Sequence, residues 1–358
     1  MKATLRKIIS LSLAGLMMAS LTACGGGEKA AEQKKDGATG PYANLPKVEL
    51  LLADSATKDA AGQLFDEAFA KRLEKITGGK ITLDVHSNGD LGNDMDLLRQ
   101  MKSGDIDIVG CQIAPVVSFV PTMAIFDLPM VFAKYDGNTI DNVLNGKTKT
   151  HDAIEAAYDK AGFVYLGIEQ NATYRLATSN RSLNKLEDFK GLQIRTMENK
   201  NHMAFWTAIG ASPTPLAWGE VYICLQNGTI AAQENASDTC LNANLYEVQK
   251  YLANTNHILY ANQLSMNKKK YDSLDPAYQK AIKQAFTEAN QEMRPKMADI
   301  DKKSQATLKA KGMTIINYDK AFFDQILNLD TVKKLYKDND SQVNGLGTTL
   351  QNELAGKK

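Results

Sequence analysis

Three features of this 358-residue sequence predict an α/β fold in two lobes. Strand-like and helix-like segments alternate from Lys47, the alternation restarts near Phe163, and one apolar stripe from Asp275 to about Lys311 outreaches either half.

Val48-Glu49-Leu50-Leu51-Leu52 reads as the first strand. Phe65, Phe69, Leu73 and Ile76 recur at helical spacing, and Gly78-Gly79 ends that helix. Ile81, Leu83 and Val85 alternate as the next strand. Met95, Leu98 and Met101 mark a short helix closed by Gly104, and Ile106 to Val109 is strand-like again. This order predicts a largely parallel sheet with helices on its faces. In the second half, Phe163 to Ile168, Tyr174 to Thr178 and Leu192 to Thr196 read as strands. His202 to Ile209 is a helix stopped by Gly210, and Glu220 to Leu225 another stopped by Gly228.

Asp275-Pro276 is a strong helix start, with Asp as N-cap and Pro at the first helical position. Tyr278, Ile282, Phe286, Ala289, Met293 and Met297 keep one apolar face, and Pro295 falls inside the run. A helix to Lys311 would be about 50 Å long, long enough for a beam joining two lobes. The alternative is a coiled coil, but the apolar spacing is nearer four than a strict heptad alternation.

The N-terminus stands apart. Lys2, Arg6 and Lys7 precede an apolar stretch, Ile8 to Leu21, that is too short to span a bilayer comfortably. Leu21-Thr22-Ala23-Cys24 follows, resembling the lipobox of bacterial lipoproteins. By that resemblance, residues 1–23 are a signal peptide and Cys24 carries the lipid. Residues 25–46, opening with Gly25-Gly26-Gly27, form a mobile tether with little apolar surface to bury. Cys111, Cys224 and Cys240 remain, with no CxxC; Cys224 and Cys240 are the only pair close enough to suggest a disulfide, and spacing leaves it open.

Forty-two Lys and Arg balance 41 Asp and Glu, so no basic face for nucleic acid is expected. His86, His151, His202 and His257 are scattered and form no HExxH, so neither a zinc site nor another metal is expected. There is no GxSxG, GxxxxGK[ST] or GxGxxG. No cofactor and no catalytic residue are assigned. The chemistry that does stand out is Arg195, in Gly191-Leu192-Gln193-Ile194-Arg195-Thr196. Alternation sends Leu192, Ile194 and Thr196 one way and Gln193 and Arg195 the other. A guanidinium fixed on a strand is a five-donor fork suited to a carboxylate.

An ordered series of fragments follows the tether. Gly79-Lys80-Ile81, Leu91-Gly92-Asn93-Asp94 and Phe126-Asp127-Leu128-Pro129 lie in the first half. Asn180-Arg181-Ser182-Leu183, Asp188 to Arg195, Gly210-Ala211-Ser212-Pro213-Thr214-Pro215, Gly219-Glu220-Val221-Tyr222, Gln233-Glu234-Asn235 and Thr255 to Leu259 come later. The series resembles the solute-binding proteins of tripartite ATP-independent periplasmic (TRAP) transporters, including sialic-acid and C4-dicarboxylate binders.

The resemblance implies a two-lobed periplasmic binding protein fold, with a hinge and a long connecting helix. The expected lobes are 47–172 plus 261–300 and 173–260 plus 301–358, bridged by a helix over about 275–311. It implies that Arg195 pairs with the ligand carboxylate, Arg175 is a second cleft arginine, and Asn235 contacts the carboxylate or orients the arginine. It places Trp218 as a pocket aromatic, Gln112 as a polar contact from the first lobe, and Asp54 as a weaker match for that purpose. The family commonly has Asp-Gly before Gln-Glu-Asn and Pro after it; here Ala231-Ala232 and Ala236 stand there.

The implied function is capture of a small organic acid anion outside the cytoplasm for a TRAP-type permease, by a monomer anchored to a membrane through Cys24. A binding protein of an ATP-driven importer shares the two-lobe design, and a lipid-anchored enzyme using the same cleft is the other alternative. Missing nucleophile and metal motifs count against the enzyme.

Overall fold

The computed structural model describes residues 40–357, whose strands fall into two sheets. The signal-like segment 1–23, Cys24 and the tether as far as residue 39 lie outside the described residues. The strands are β1 Val48–Asp54, β2 Ile81–His86, β3 Ile108–Gln112, β4 Phe163–Tyr174, β5 Leu176–Ser179, β6 Gln193–Thr196, β7 Ser212–Pro215, β8 Ala232–Asn235, β9 Tyr251–Ala253, β10 Leu259–Asn267 and β11 Thr314–Ile316. The first sheet has order β2-β1-β3-β10-β4 and the second β11-β9-β5-β8-β6-β7.

The first βαβαβ unit follows the residue pattern. Phe65, Phe69 and Leu73 bury one face of helix Ala61–Thr77, and Gly78 ends it at φ 59°. β1 pairs in parallel with both β2 and β3. The expected largely parallel sheet needs correction, because β10 runs antiparallel to both β3 and β4. It returns from the second sheet and enters the first from the opposite end. The second sheet is mixed too, with β5 antiparallel to β8 and β9. Its edge is β7, where Pro213 and Pro215 cost no inner ladder bond.

Besides the route through the long helix to β11, the chain crosses between sheets at two adjacent places. Only Arg175 separates β4 from β5, and residues 254–258 separate β9 from β10. The two crossings are tied together, since Arg175 N donates to Ile258 O at 2.8 Å. The predicted beam is helix Pro276–Ala310, 35 residues long, capped by Asp275 through Ala277 N and containing Pro295. Tyr278 to Met297 pack in the first lobe's core beside Phe65 and Phe69, whereas Leu308 packs with Leu176 and Leu252 in the second.

Two expected boundaries shift. The end of the tether is docked: Tyr42 stacks on Tyr278 at 6.0 Å, and Tyr278 Oη donates to Pro46 O. The tail 301–358 does not all belong with the second lobe. Phe322, Ile326 and Val332 do, but Val343, Leu350 and Leu354 sit in the first lobe's core. Their apolar faces find cover there against helices Gly137–Leu144 and Lys149–Ala161. Cys111, Cys224 and Cys240 are all free thiols.

Gly167 lets the beam lie on the sheet. It sits beside a register shift in β4, and a Cβ there would meet the Phe286 ring at 2.0 Å. Overpacking against the ring is expected to destabilise Gly167→Ala by about 3 kcal/mol, read from the midpoint of a denaturant titration.

Candidate functional site

Asp54 and Gln112 end β1 and β3, at the carboxyl ends of parallel strands where open α/β sheets leave a crevice. Arg195 lies on β6, Asn235 ends β8, Arg175 is the first sheet crossing, and Trp218 follows β7. These six side chains, far apart in sequence, line one cavity of about 50 Å³ between the sheets. By volume it has room for a few waters.

Arg195 is 2 % exposed although strand alternation turns it away from the core that buries Ile194. The first lobe closes over it. Its Nε and Nη2 both donate to Leu216 O, at 2.9 and 2.6 Å. Nη1 is buried with no partner, and among the described residues Arg195 forms no ion pair. The fork is therefore half used: the Nε/Nη2 edge fixes its aim, and the Nη1 end is left for something else. Trp218 lies beside it, 5.8 Å from guanidinium carbon to ring centre. Burial, then repulsion from Arg175, lower its pKa to about 10, so it stays cationic at neutral pH.

Arg175 differs, because its charge is already countered. It pairs with Glu234 at 3.4 Å, donates to Gln112 Oε1 at 2.8 Å and lies over the Tyr260 ring at 5.4 Å. Glu234 is a fully buried hub that also meets His202 Nδ1 at 2.9 Å, His257 Nε2 and Trp206 Nε1. His202 reaches on to Asp127 at 3.1 Å. Burial opposes charge on His202, yet Glu234 and Asp127 raise its pKa to about 9. Burial likewise opposes charge on Glu234, but Arg175 and His202 hold its carboxyl well below the usual range. Two of the scattered histidines thus converge on one carboxylate.

Asn235 is buried with its Oδ1 on Ala236 N at 3.1 Å. Two of the three alanines that depart from the family pattern sit in ordinary backbone. Ala236 has φ −78°, which proline would also adopt, and Ala232 is a regular strand residue pairing with Ser179 and Ile194. Trp218 Nε1 donates across the cleft to Thr57 Oγ1 at 3.0 Å. Asp54 is held within the protein, accepting from Ala56 N at 2.7 Å and Ser87 Oγ at 2.9 Å.

The residues missed from sequence are acids. Asp66, Asp94 and Glu169 also line the cavity, with Asn262 and Tyr260. Burial, then the charge of Asp54, hold Asp66 well above the carboxylate range. Burial raises Glu169 to about 8 against the Asn262 hydrogen bond, and Asp94 to about 6 against that from Ser55. Asp94 closes the fragment Leu91 to Asp94, next to the Asn93 N-cap. Nothing local marks Asp66 or Glu169. Among the described residues no three His, Cys, Asp or Glu side chains are grouped to hold a metal, and no helix is long and apolar enough to cross a membrane.

Comparisons with known proteins identify the family of the chain. Residues 54–338 match the family model of bacterial extracellular solute-binding protein, family 7. A solute-binding protein of Verminephrobacter eiseniae is 34 % identical over 258 residues, covering 72 % of this chain and 76 % of the relative. The sialic acid-binding periplasmic protein SiaP of Vibrio cholerae is 28 % identical over 80 % of this chain and 85 % of its own. Among solved structures, a TRAP periplasmic solute-binding protein of Bordetella, with density interpreted as pantoate, is similar at TM-score 0.78 and 29 % identity, covering 87 % of this chain and all of its own.

The raised acids make stability depend on pH. In the unfolded chain Asp94 titrates near 3.8; in the fold it holds its proton to about pH 6. Ionising it above that pH costs about 3 kcal/mol, a penalty absent below the unfolded value. Asp94→Asn is expected to raise the melting temperature by several degrees at pH 8 and leave it unchanged at pH 3.5, measured by calorimetric scans at both.

Proposed function

Since the chain belongs to the bacterial extracellular solute-binding proteins of family 7, we propose that it captures a small organic carboxylate between its lobes and delivers it to a TRAP-type membrane permease. The family consists of solute-binding proteins rather than enzymes, and it works outside the cytoplasm. The observation that carries the proposal is Arg195 Nη1, a buried cationic donor without a partner.

A buried charge is costly until it is paired, and a carboxylate entering the cleft has the same need. Each supplies what the other lacks. Asn235 and Arg175 contribute further polarity, Trp218 covers one side with its ring, and Gln112 and Asp54 form the first-lobe wall. Contacts between lobes support closure around the solute. Besides Trp218 to Thr57 and Arg175 to Gln112, Ala61 N donates to Asp238 Oδ2 at 3.0 Å. A ligand touching both lobes favours the closed state by its differential affinity. Sialic acid and pantoate, named for a relative and a structural neighbour, are both carboxylates.

In this reading the protein acts as a monomer held at a membrane surface by lipid on Cys24, the permease being its protein partner. Expressed in a bacterial host, the full chain is expected in the membrane fraction, and Cys24→Ala in the soluble one. Recovery of both in the same fraction would refute the anchor.

The ligand site is tested by a thermal-shift screen against organic acids followed by calorimetry, since a solute binding only the fold raises its melting temperature. Arg195→Ala is expected to cost on the order of 2–5 kcal/mol of binding, because one charge is left buried and unpaired. Arg195→Lys should also bind poorly, an ammonium being unable to hold Leu216 O and the ligand with one rigid plane. Near-native affinity in Arg195→Ala would refute the proposal.

A further inference from the structure

The cavity carries more acid than a simple carboxylate ligand accounts for, and the arrangement of that acid is directional. Asn262 on β10 pairs with Gln112 on one side and Glu169 on the other, so three polar residues form a row across the first sheet. Arg175 Nη2 donates to Gln112 Oε1 at 2.8 Å. That turns the Gln112 amino group onto Asn262 Oδ1, which in turn sends the Asn262 amino group to Glu169 Oε2 at 3.0 Å. An arginine can only donate, so neither amide can flip without breaking the chain. The row ends in Glu169 Oε1, buried with no partner among the described residues.

The cavity therefore has two unmatched poles, a guanidinium nitrogen on Arg195 and a carboxyl oxygen on Glu169, each on a residue more than nine-tenths buried. We propose that the ligand is zwitterionic, with its carboxylate on Arg195 and a cationic nitrogen on Glu169. This rests on the carboxylate reading of the same site and narrows it to small amino acids and related betaine-like or amidinium-bearing acids that retain an N–H.

The surrounding charge favours a cation at the Glu169 end. Asp54 and Asp66 form a hydrogen-bonded acid pair on the cavity wall, and Asp238 lies near enough to act on Glu169. Arg175 does not neutralise them, because Glu234 already pairs with it. A hydroxyl would meet Glu169 as a neutral carboxyl and leave its proton in place, whereas a cation pairs with the carboxylate and also draws on the acids around it. Burial keeps Glu169 protonated to about pH 8 in the empty site. An arriving ammonium replaces that proton, which leaves for solvent; the carboxylate keeps its electrons throughout, and no covalent bond other than the O–H is broken.

Calorimetry on the full chain tests this with matched pairs: glycine and glycolate, β-alanine and 3-hydroxypropionate, γ-aminobutyrate and 4-hydroxybutyrate, 5-aminovalerate and 5-hydroxyvalerate. One amino acid is expected to bind at least about tenfold more tightly than its hydroxy partner, as a paired buried charge should. At pH 7 its binding should release protons, seen as a heat that varies with the ionisation enthalpy of the buffer. Glu169→Gln, confirmed folded by its thermal transition, should bring the amino-to-hydroxy affinity ratio close to one and abolish proton release. Equal or tighter binding of the hydroxy acids, or recovery of the amino acid's advantage by a hydroxy acid plus calcium chloride, overturns the inference. Acids that bind without any preference for nitrogen sink this inference alone; failure of every acid in both this series and the wider organic-acid screen sinks the carboxylate reading with it.

Discussion

Arg195 is held by a single carbonyl, that of Leu216, on two of its nitrogens. A neutral acceptor aims the guanidinium without cancelling it. Had a carboxylate stood in place of that carbonyl, the positive charge would be spent inside the protein, as the charge of Arg175 is spent on Glu234. Taking an ion out of water costs several kcal/mol after relaxation, and the fold sustains this cost at Arg195 through the burial of its neighbours. The strand beneath contributes Ile194 to a core with Phe189, Phe205 and Trp206, which holds β6 in place under that cost.

The two arginines line the same cavity but differ in charge balance: Arg175 is paired and Arg195 is not. Arg175, Glu234, His202, His257 and Asp127 come from the two adjacent sheet crossings, β8, the helix Lys200–Ala208 and the turn before residue 128. With Arg175 and His202 charged against Glu234 and Asp127, this network is balanced. It fastens the region where the chain passes between sheets, and it sets the orientation of Gln112 and thus of the amide row. Removing one member would strand a buried charge, so its role in the fold is cooperative rather than a sum of pairs.

Much of the architecture was legible in the sequence because its signals are local. Gly78 and Gly104 end helices in the left-handed conformation that their sequence positions suggested, and Asp275-Pro276 starts the beam. β10 is hidden in the sequence for a physical reason: all nine of its residues are buried, yet Asn262, Gln263, Ser265 and Asn267 interrupt any apolar run. Neither alternation nor hydrophobicity marks such a strand; its polar groups are satisfied only by neighbours distant in sequence, such as Gln263 Nε2 on Val109 O. The six residues expected at the site do come together on one cavity. The acids facing them were invisible because their distinguishing property is burial, which the second lobe and neighbouring strands impose. Asp66 illustrates this, as an acid in the middle of an amphipathic helix, on the face shared with Phe65 and Phe69.

Those buried acids also explain why the closed arrangement does not come free of charge repulsion. The proton that Glu169 keeps to about pH 8 limits the repulsion, and burial with the charge of Asp54 pushes Asp66 towards its protonated form as well. Closure of an empty cleft must therefore bury a lone guanidinium at one pole and an unpartnered carboxyl at the other. In the proposed function both penalties belong to the closed state, and opening relieves them by returning each group to water. In the proposed function, the occupied cleft removes what the empty one cannot, and the free energy released is available to hold the lobes together. Affinity and closure then have one electrostatic origin, and a solute lacking the matching charge gains access to the cleft without securing the closed form that a permease would recognise.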